Sequence, residues 1–165
     1  MTLRTILHYP DNRLRQLCPD QTQYNNELET LISDMFETMY DAKGIGLAGT
    51  QVDFHKRLLV TDVSIDKDEP HVLINPVILS TDGIVDSNEG CLSVPGFQDD
   101  VQRAKNIIVK YLDRDGASKE TEMSGLLAIC VQHEIDHLNG KLFIDYLSEA
   151  KKQKVRKLIR KQEKD

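Results

Sequence analysis

The run His133-Glu134-Ile135-Asp136-His137 constrains this chain more than any other feature. Four residues of α-helix turn through about 400°, so both imidazoles leave one face of a helix, a single turn apart and able to share one metal ion. Glu134, beside the first histidine, is placed to reach a metal-bound water and take its proton. A plain core helix with two satisfied histidines is the bland alternative. It accounts poorly for Glu134, Asp136 and His137 lying beside the apolar Leu126, Leu127, Ile129, Cys130 and Val131. Two imidazoles do not complete a site, so the fold must bring a third donor to this helix.

The run continues to Gly140 as H-E-x-x-H-x-x-G, the opening of the metzincin protease motif, but the third histidine of that motif would fall at Phe143, which binds no metal. A thermolysin-type arrangement needs a downstream glutamate, and Glu149 comes early, in a basic tail. His8, His55 and His71 stand in no recognisable context, which turns attention to the cysteines. Cys130 shares the face of His133, but helical side chains lean toward the N-terminus and carry its sulfur away from the gap between the imidazoles. With a Zn–S bond of about 2.3 Å required, it reads as a pocket wall, with core packing an open alternative. Cys18, in Leu14-Arg-Gln-Leu-Cys18-Pro19, reads as a small buried hydrophobe. Cys91 lies among small residues in Glu89-Gly90-Cys91-Leu92-Ser93.

Around these motifs the spacing predicts a helix over 26–43, where Leu28, Leu31, Ile32, Met35, Phe36, Met39 and Tyr40 repeat at i, i+3, i+4 and Gly44 is placed to cap it. Stretches 57–63, 71–80 and 106–112 are rich in Val, Ile and Leu and read as strands, with Asp113-Arg-Asp-Gly116 as a hairpin turn. Helices follow over 124–139 and from 148 onward. Helix, strands, helix, helix is the order of an α+β fold rather than a βαβ alternation. At 165 residues, without repeat or linker, the chain reads as one domain over 1–165. The absence of Trp and a 5% aromatic content speak against a base-stacking nucleic-acid surface. No apolar run suits a membrane span or a signal peptide, and three widely spaced cysteines speak against a disulfide framework, so a cytosolic location is expected.

A third motif, Gly44-Ile45-Gly46-Leu47-Ala48-Gly49-Thr50-Gln51, precedes the other two. In this order, G-x-G-L-A-x-x-Q, E-G-C-L-S and H-E-x-D-H resemble the three signatures of the peptide deformylase family, and the likeness extends through Leu126–Gln132 and Leu142–Leu147. The resemblance implies mostly antiparallel strands packed around a central metal-binding helix, with a C-terminal helix. It implies that Cys91, His133 and His137 bind one divalent metal ion, natively Fe(II), with Zn, Ni or Co accepted. Glu134 would be the general base, and Gln51 with the Leu92 N–H would donate to the developing oxyanion. Ile45, Gly46 and Gly90 would pair with an extended substrate, Cys130 would line its side-chain pocket, and Glu89 would support the site. The implied reaction removes the N-formyl group from formyl-methionine on nascent polypeptides and releases formate, in a bacterial cytosol. One departure is that some relatives carry an arginine near Gln98 and a proline before Arg103, so a substrate contact from Gln98 does not carry over from the resemblance, whereas the metal chemistry does.

The net charge of −6 conceals a basic tail: residues 151–165 hold eight Lys/Arg against Glu163 and Asp165. A solvated helix accounts for such a run, whereas the family resemblance implies ribosomal RNA as a polyanionic partner. Val155, Leu158 and Ile159 form a narrow apolar stripe that docks either on the body or on a partner. If the helix is only a tether, deleting the tail leaves hydrolysis intact. The rival readings are a small zinc endopeptidase and a silent ribosome-associated binding protein; an intact Glu134 speaks against the second.

Overall fold

The structure, a computed structural model, describes residues 2–164. Its elements are α1 (Asn26–Asp41), β1 (Gly46–Ala48), β2 (Leu58–Thr61), β3 (His71–Cys91), β4 (Val94–Leu112), β5 (Ser118–Ser124), α2 (Gly125–Leu138) and α3 (Glu149–Lys164). Short 3-10 turns lie at Asn12–Arg15, Gly49–Val52 and Phe143–Tyr146. The strands form one sheet in the order β1-β2-β3-β4-β5, each antiparallel to the next, as an α+β fold requires.

Alternation along β2 explains how the sheet separates its two helices. Leu58 and Val60 pack with Leu28, Leu31, Ile32, Met35 and Met39 of α1, whereas Leu59, with Leu73, Ile107 and Val109, packs on Ala128, Val131, Ile135 and Leu138 of α2. The sheet thus covers one face of α2, leaving Cys130, His133, Glu134 and His137 on the other. Helix α1 starts at Asn25, whose side chain accepts the Leu28 N–H at 2.9 Å.

The end of α1 departs from the sequence reading. Lys43 takes the left-handed position (φ 59°), and the Gly44 N–H closes back on the Met39 carbonyl at 2.9 Å. A Cβ at Gly44 would lie 2.8 Å from Leu92 Cδ1, so the end of that side chain would have to shift. Strands β3 and β4 also run far beyond the apolar stretches that announce them, through Thr81–Asn88 paired with Asp100–Ile107. The β3 half of this ribbon is mostly exposed and held by cross-strand pairing, and on β4 only Val101, Arg103 and Ile107 turn inward, too sparse an apolar pattern to announce a strand. The turn Asp113–Gly116 forms as expected, with Asp113 Oδ1 accepting the N–H groups of Asp115 and Ala117.

Two devices deliver the ends of the site segments. Gly140, at φ 75°, ends α2 where its Cβ would lie 2.5 Å from the Arg15 carbonyl oxygen, so only glycine lets the N-terminal segment cross there. Beyond it, Leu142, Phe143, Ile144 and Leu147 form a further apolar cluster with Val94 and Val101 of β4 and Val155 and Ile159 of α3. The stripe on the basic helix therefore docks on the body.

Candidate active site

Helix α2 and the end of β3 meet at the floor of a cleft of about 780 Å³. Cys91, at the last position of β3, points at α2, and its Sγ lies 3.3 Å from His137 Nε2. One donor atom from each of Cys91, His133 and His137 lies within 4.8 Å of the others, and no other such group occurs among the described residues. Both imidazoles are largely buried, His137 completely. Glu134 Oε1 stands 3.8 Å from His133 Nε2 and 3.9 Å from His137 Nε2, and its Oε2 is buried without a partner among the described residues.

The charges favour a cation here. Burial opposes a proton on His133, but hydrogen bonds with Cys91 and Glu89 overcome it and raise the imidazole well above its usual range. Burial, and then the neighbouring His133, push His137 well below that range, so it offers a neutral imidazole. Burial would raise Glu89, but Arg103 and His133 bring it down to about 2, leaving it ionised. A thiol, two imidazoles and two buried carboxylates fit a divalent transition-metal ion by donor type and charge. Burial raises Glu134 to about 7, suited to taking and returning a proton near neutrality.

Gln51, buried beneath the thiol, is held in one orientation. Its Oε1 accepts the Ala48 N–H at 2.9 Å, so Nε2 faces Ser93 Oγ at 3.0 Å and Cys91 Sγ at 3.6 Å. Ser93 is a polar partner that the sequence reading did not single out, although it closes the E-G-C-L-S motif. The cleft is walled on one side by Gly44, Ile45 and Gly46 and on the other by Ser87–Leu92, with Leu126, Ile129 and Cys130 lining its apolar part. Gln98 also lines it, beside Gly90.

Strand β1 is an edge strand, and its register decides what it offers. The Asp62 N–H bonds the Ile45 carbonyl at 2.8 Å, which makes Gly46↔Thr61 a non-hydrogen-bonded pair and turns the Gly46 N–H and C=O to the open edge. The Ile45 carbonyl is thus already engaged, while Gly46 presents both groups to the cleft. A side chain at Gly46 would close that approach, since its Cβ would stand 2.6 Å from Cys130 Sγ and 3.0 Å from Glu134 Cγ.

The cysteines divide by geometry. Cys130 is buried, desolvation raises its thiol well above the usual value, and its Sγ contacts the Ile45 carbonyl at 3.5 Å, outside the three-donor group. Phe143, where a metzincin histidine would stand, instead stacks on His133 with ring centroids 6.1 Å apart. Cys18 is buried, as expected of a small hydrophobe.

Three donor atoms able to hold a metal, grouped beside a buried carboxylate in a cleft edged by strand backbone, are the arrangement expected of a metal-dependent hydrolase. The family model described as polypeptide deformylase matches residues 3–153, and the chain belongs to the peptide deformylase family. It is 56% identical over 167 residues to the peptide deformylase of Stenotrophomonas maltophilia strain R551-3, covering 99% of this chain and 98% of that protein. With the peptide deformylase of Chromobacterium violaceum the identity is 53% over 164 residues, at 99% and 98% coverage. The crystal structure of a peptide deformylase from Legionella pneumophila superposes with a TM-score of 0.95 at 48% identity, covering 99% of this chain and 96% of that one. A peptide deformylase from Ehrlichia chaffeensis, crystallised with actinonin, gives 0.95 at 39% identity and full coverage of both chains.

Proposed function

We propose that this chain carries out its family's reaction, hydrolysis of the N-formyl group from formyl-methionine at the start of nascent polypeptides, with Cys91, His133 and His137 holding one divalent ion and Glu134 as the general base. The observation that carries the reading is the cluster of three donors around the Glu134 carboxylate at the closed end of a strand-edged cleft. When bound, the ion supplies Lewis acidity, lowering the pKa of water and polarising a carbonyl oxygen.

The residues account for the remaining steps. Gly46 and Gly90 pair with the backbone of an extended peptide, Ile45 flanks it, and Cys130, with its apolar neighbours, receives the methionine side chain. Glu134 takes a proton from the attacking water as the oxygen adds to the formyl carbon. Gln51 Nε2 and the Leu92 N–H donate to the oxygen that gains charge, a contribution of a few kcal/mol. As the C–N bond breaks, Glu134 returns the proton to the leaving amine, and formate and a free N-terminus result.

Fe(II) is the proposed native ion, with Zn, Ni and Co as substitutes; thiolate and imidazole suit them all, so availability decides. The proposed setting is the bacterial cytosol, where formylated chains emerge. Among the described residues no helix is long and apolar enough to cross a membrane. The ribosome is the proposed partner of α3, whose Lys154, Lys157, Arg160, Lys161 and Lys164 are exposed.

Exchange of the two cysteines tests the assignment. Cys91→Ser is expected to lose metal affinity by more than the 10–100-fold typical of a group that only supports a ligand. Cys130→Ala should keep its metal and change only which first side chain is preferred. Metal content after gel filtration reads the difference, and metal lost from the Cys130 variant but kept in the Cys91 variant reverses the roles.

A further inference from the structure

On the side of His133 away from Cys91, a chain of polar contacts runs out to the surface. His133 Nδ1 lies 2.9 Å from Glu89 Oε1. Arg103 donates to both oxygens of that carboxylate, Nε to Oε2 at 2.8 Å and Nη2 to Oε1 at 2.7 Å. Its third nitrogen, Nη1, donates to Asp136 Oδ2 at 2.7 Å, and the same oxygen accepts Tyr146 Oη at 2.8 Å. The guanidinium also lies over the Tyr146 ring, 5.2 Å from its centroid.

Four separate segments supply this chain: the end of β3, the middle of β4, α2 and the turn Phe143–Tyr146. The Arg103 and Glu89 side chains are 4% and 6% exposed, so the pair gave up its water to stand here. For stability alone, apolar residues would serve as well at such a place. The ions add direction. A lone carboxylate behind an imidazole can rotate and lengthen its bond, but the two-pronged grip of Arg103 fixes the plane of Glu89. That grip is held in turn because Asp136 anchors the remaining nitrogen and Tyr146 anchors Asp136. His137 has no comparable support: its Nδ1 is buried without a partner among the described residues.

We propose that Asp136 and Tyr146 are positioning residues for the metal ligand His133, acting through Arg103 and Glu89 to fix the imidazole's tautomer and ring plane with Nε2 facing Cys91 and His137. The inference rests on the metal-centre reading given above. Asp136 therefore has a role distinct from that of its neighbours in the H-E-x-D-H run. It neither binds the ion nor moves a proton, and it governs how long the ion stays. The half-exposed Tyr146 is the outermost member and is the one whose loss disturbs the fold least.

The test uses the full chain loaded with Co(II), and compares wild type with Asp136→Asn, Tyr146→Phe and the double variant. Release of the ion to a chelator is timed, the Co(II)–thiolate absorption band is recorded, and the melting temperature of each metal-free protein is measured. Asp136→Asn is expected to speed release by about 10-fold, within the range found for groups that support a metal ligand, and to shift the band. Tyr146→Phe should act in the same direction but less, with an unchanged melting temperature for the metal-free protein. The double variant should release no faster than Asp136→Asn, because Tyr146 acts only through Asp136. Wild-type release rates in both single variants, or effects that multiply in the double variant, would overturn the proposal. A wild-type chain that takes up no ion would sink the metal centre and this inference with it, whereas a binding wild type with unaltered variants would sink the inference alone.

Discussion

Glu134→Gln is expected to leave metal content at the wild-type level and to cut turnover of a formylated peptide by about 10²–10⁴-fold, the usual effect of losing a general base. The substitution keeps the shape of a side chain that is 3% exposed, so packing is preserved. It removes none of the three donor atoms grouped on Cys91, His133 and His137. What it removes is a carboxylate whose pKa burial raises to about 7 and whose Oε1 stands almost equally far from both imidazoles. The loss should therefore fall on kcat with little change in KM, since an interaction made mainly in the transition state is deleted. Activity within about a factor of three of wild type would show that another group carries the proton.

Deletion of the chain beyond Leu147 is expected to destabilise the fold severely. Val155 and Ile159 are 0% and 5% exposed and pack on Leu142, Phe143, Ile144 and Leu147. Burial of each such side chain stabilises by about 1.5–3 kcal/mol, so the deletion costs about 3–6 kcal/mol against a typical total of about 5–15 kcal/mol. Phe143 also stacks on His133, so the uncovered cluster adjoins the site, and hydrolysis should fall together with stability. Urea unfolding of the shortened chain measures the cost, and a midpoint equal to that of the full chain would contradict the docking. A fair test of ribosome binding therefore leaves the helix in place and reverses charge at the exposed Lys154, Lys157 and Lys161. Loss of salt-sensitive cosedimentation with unchanged hydrolysis is the expected result, and undiminished cosedimentation would exclude the tether.

Much of this could be read from the sequence because the motifs are local. His133, Glu134 and His137 need only helical periodicity to share a face, and the apolar stripes of 26–43 and 124–139 announce their helices directly. Cys91 was harder: its role follows from the approach of a strand end to α2, which no spacing encodes, and only the resemblance pointed to it. Arg103, Ser93 and Tyr146 carry no local signal for the same reason, since each acquires a partner distant in the chain. Nothing in the sequence separates Arg103, which is buried, from Lys105, which stands in the same strand phase and is exposed. The Gly46 edge depended on the Asp62–Ile45 bond, which sets a register that β1 is too short to declare by itself. The tail was misleading in a useful way. Its charge dominates its composition, yet two apolar residues decide where it lies.

The most direct measurement is mass spectrometry of formyl-Met-Ala-Ser incubated with the Fe(II)- or Ni(II)-loaded chain, with formate quantified in parallel. The account predicts stoichiometric formate and an intact Met-Ala-Ser with a free N-terminus, produced by the loaded protein and not by the chelator-treated one. Cleavage within the peptide without formate, or formate release that survives removal of the metal, would contradict it.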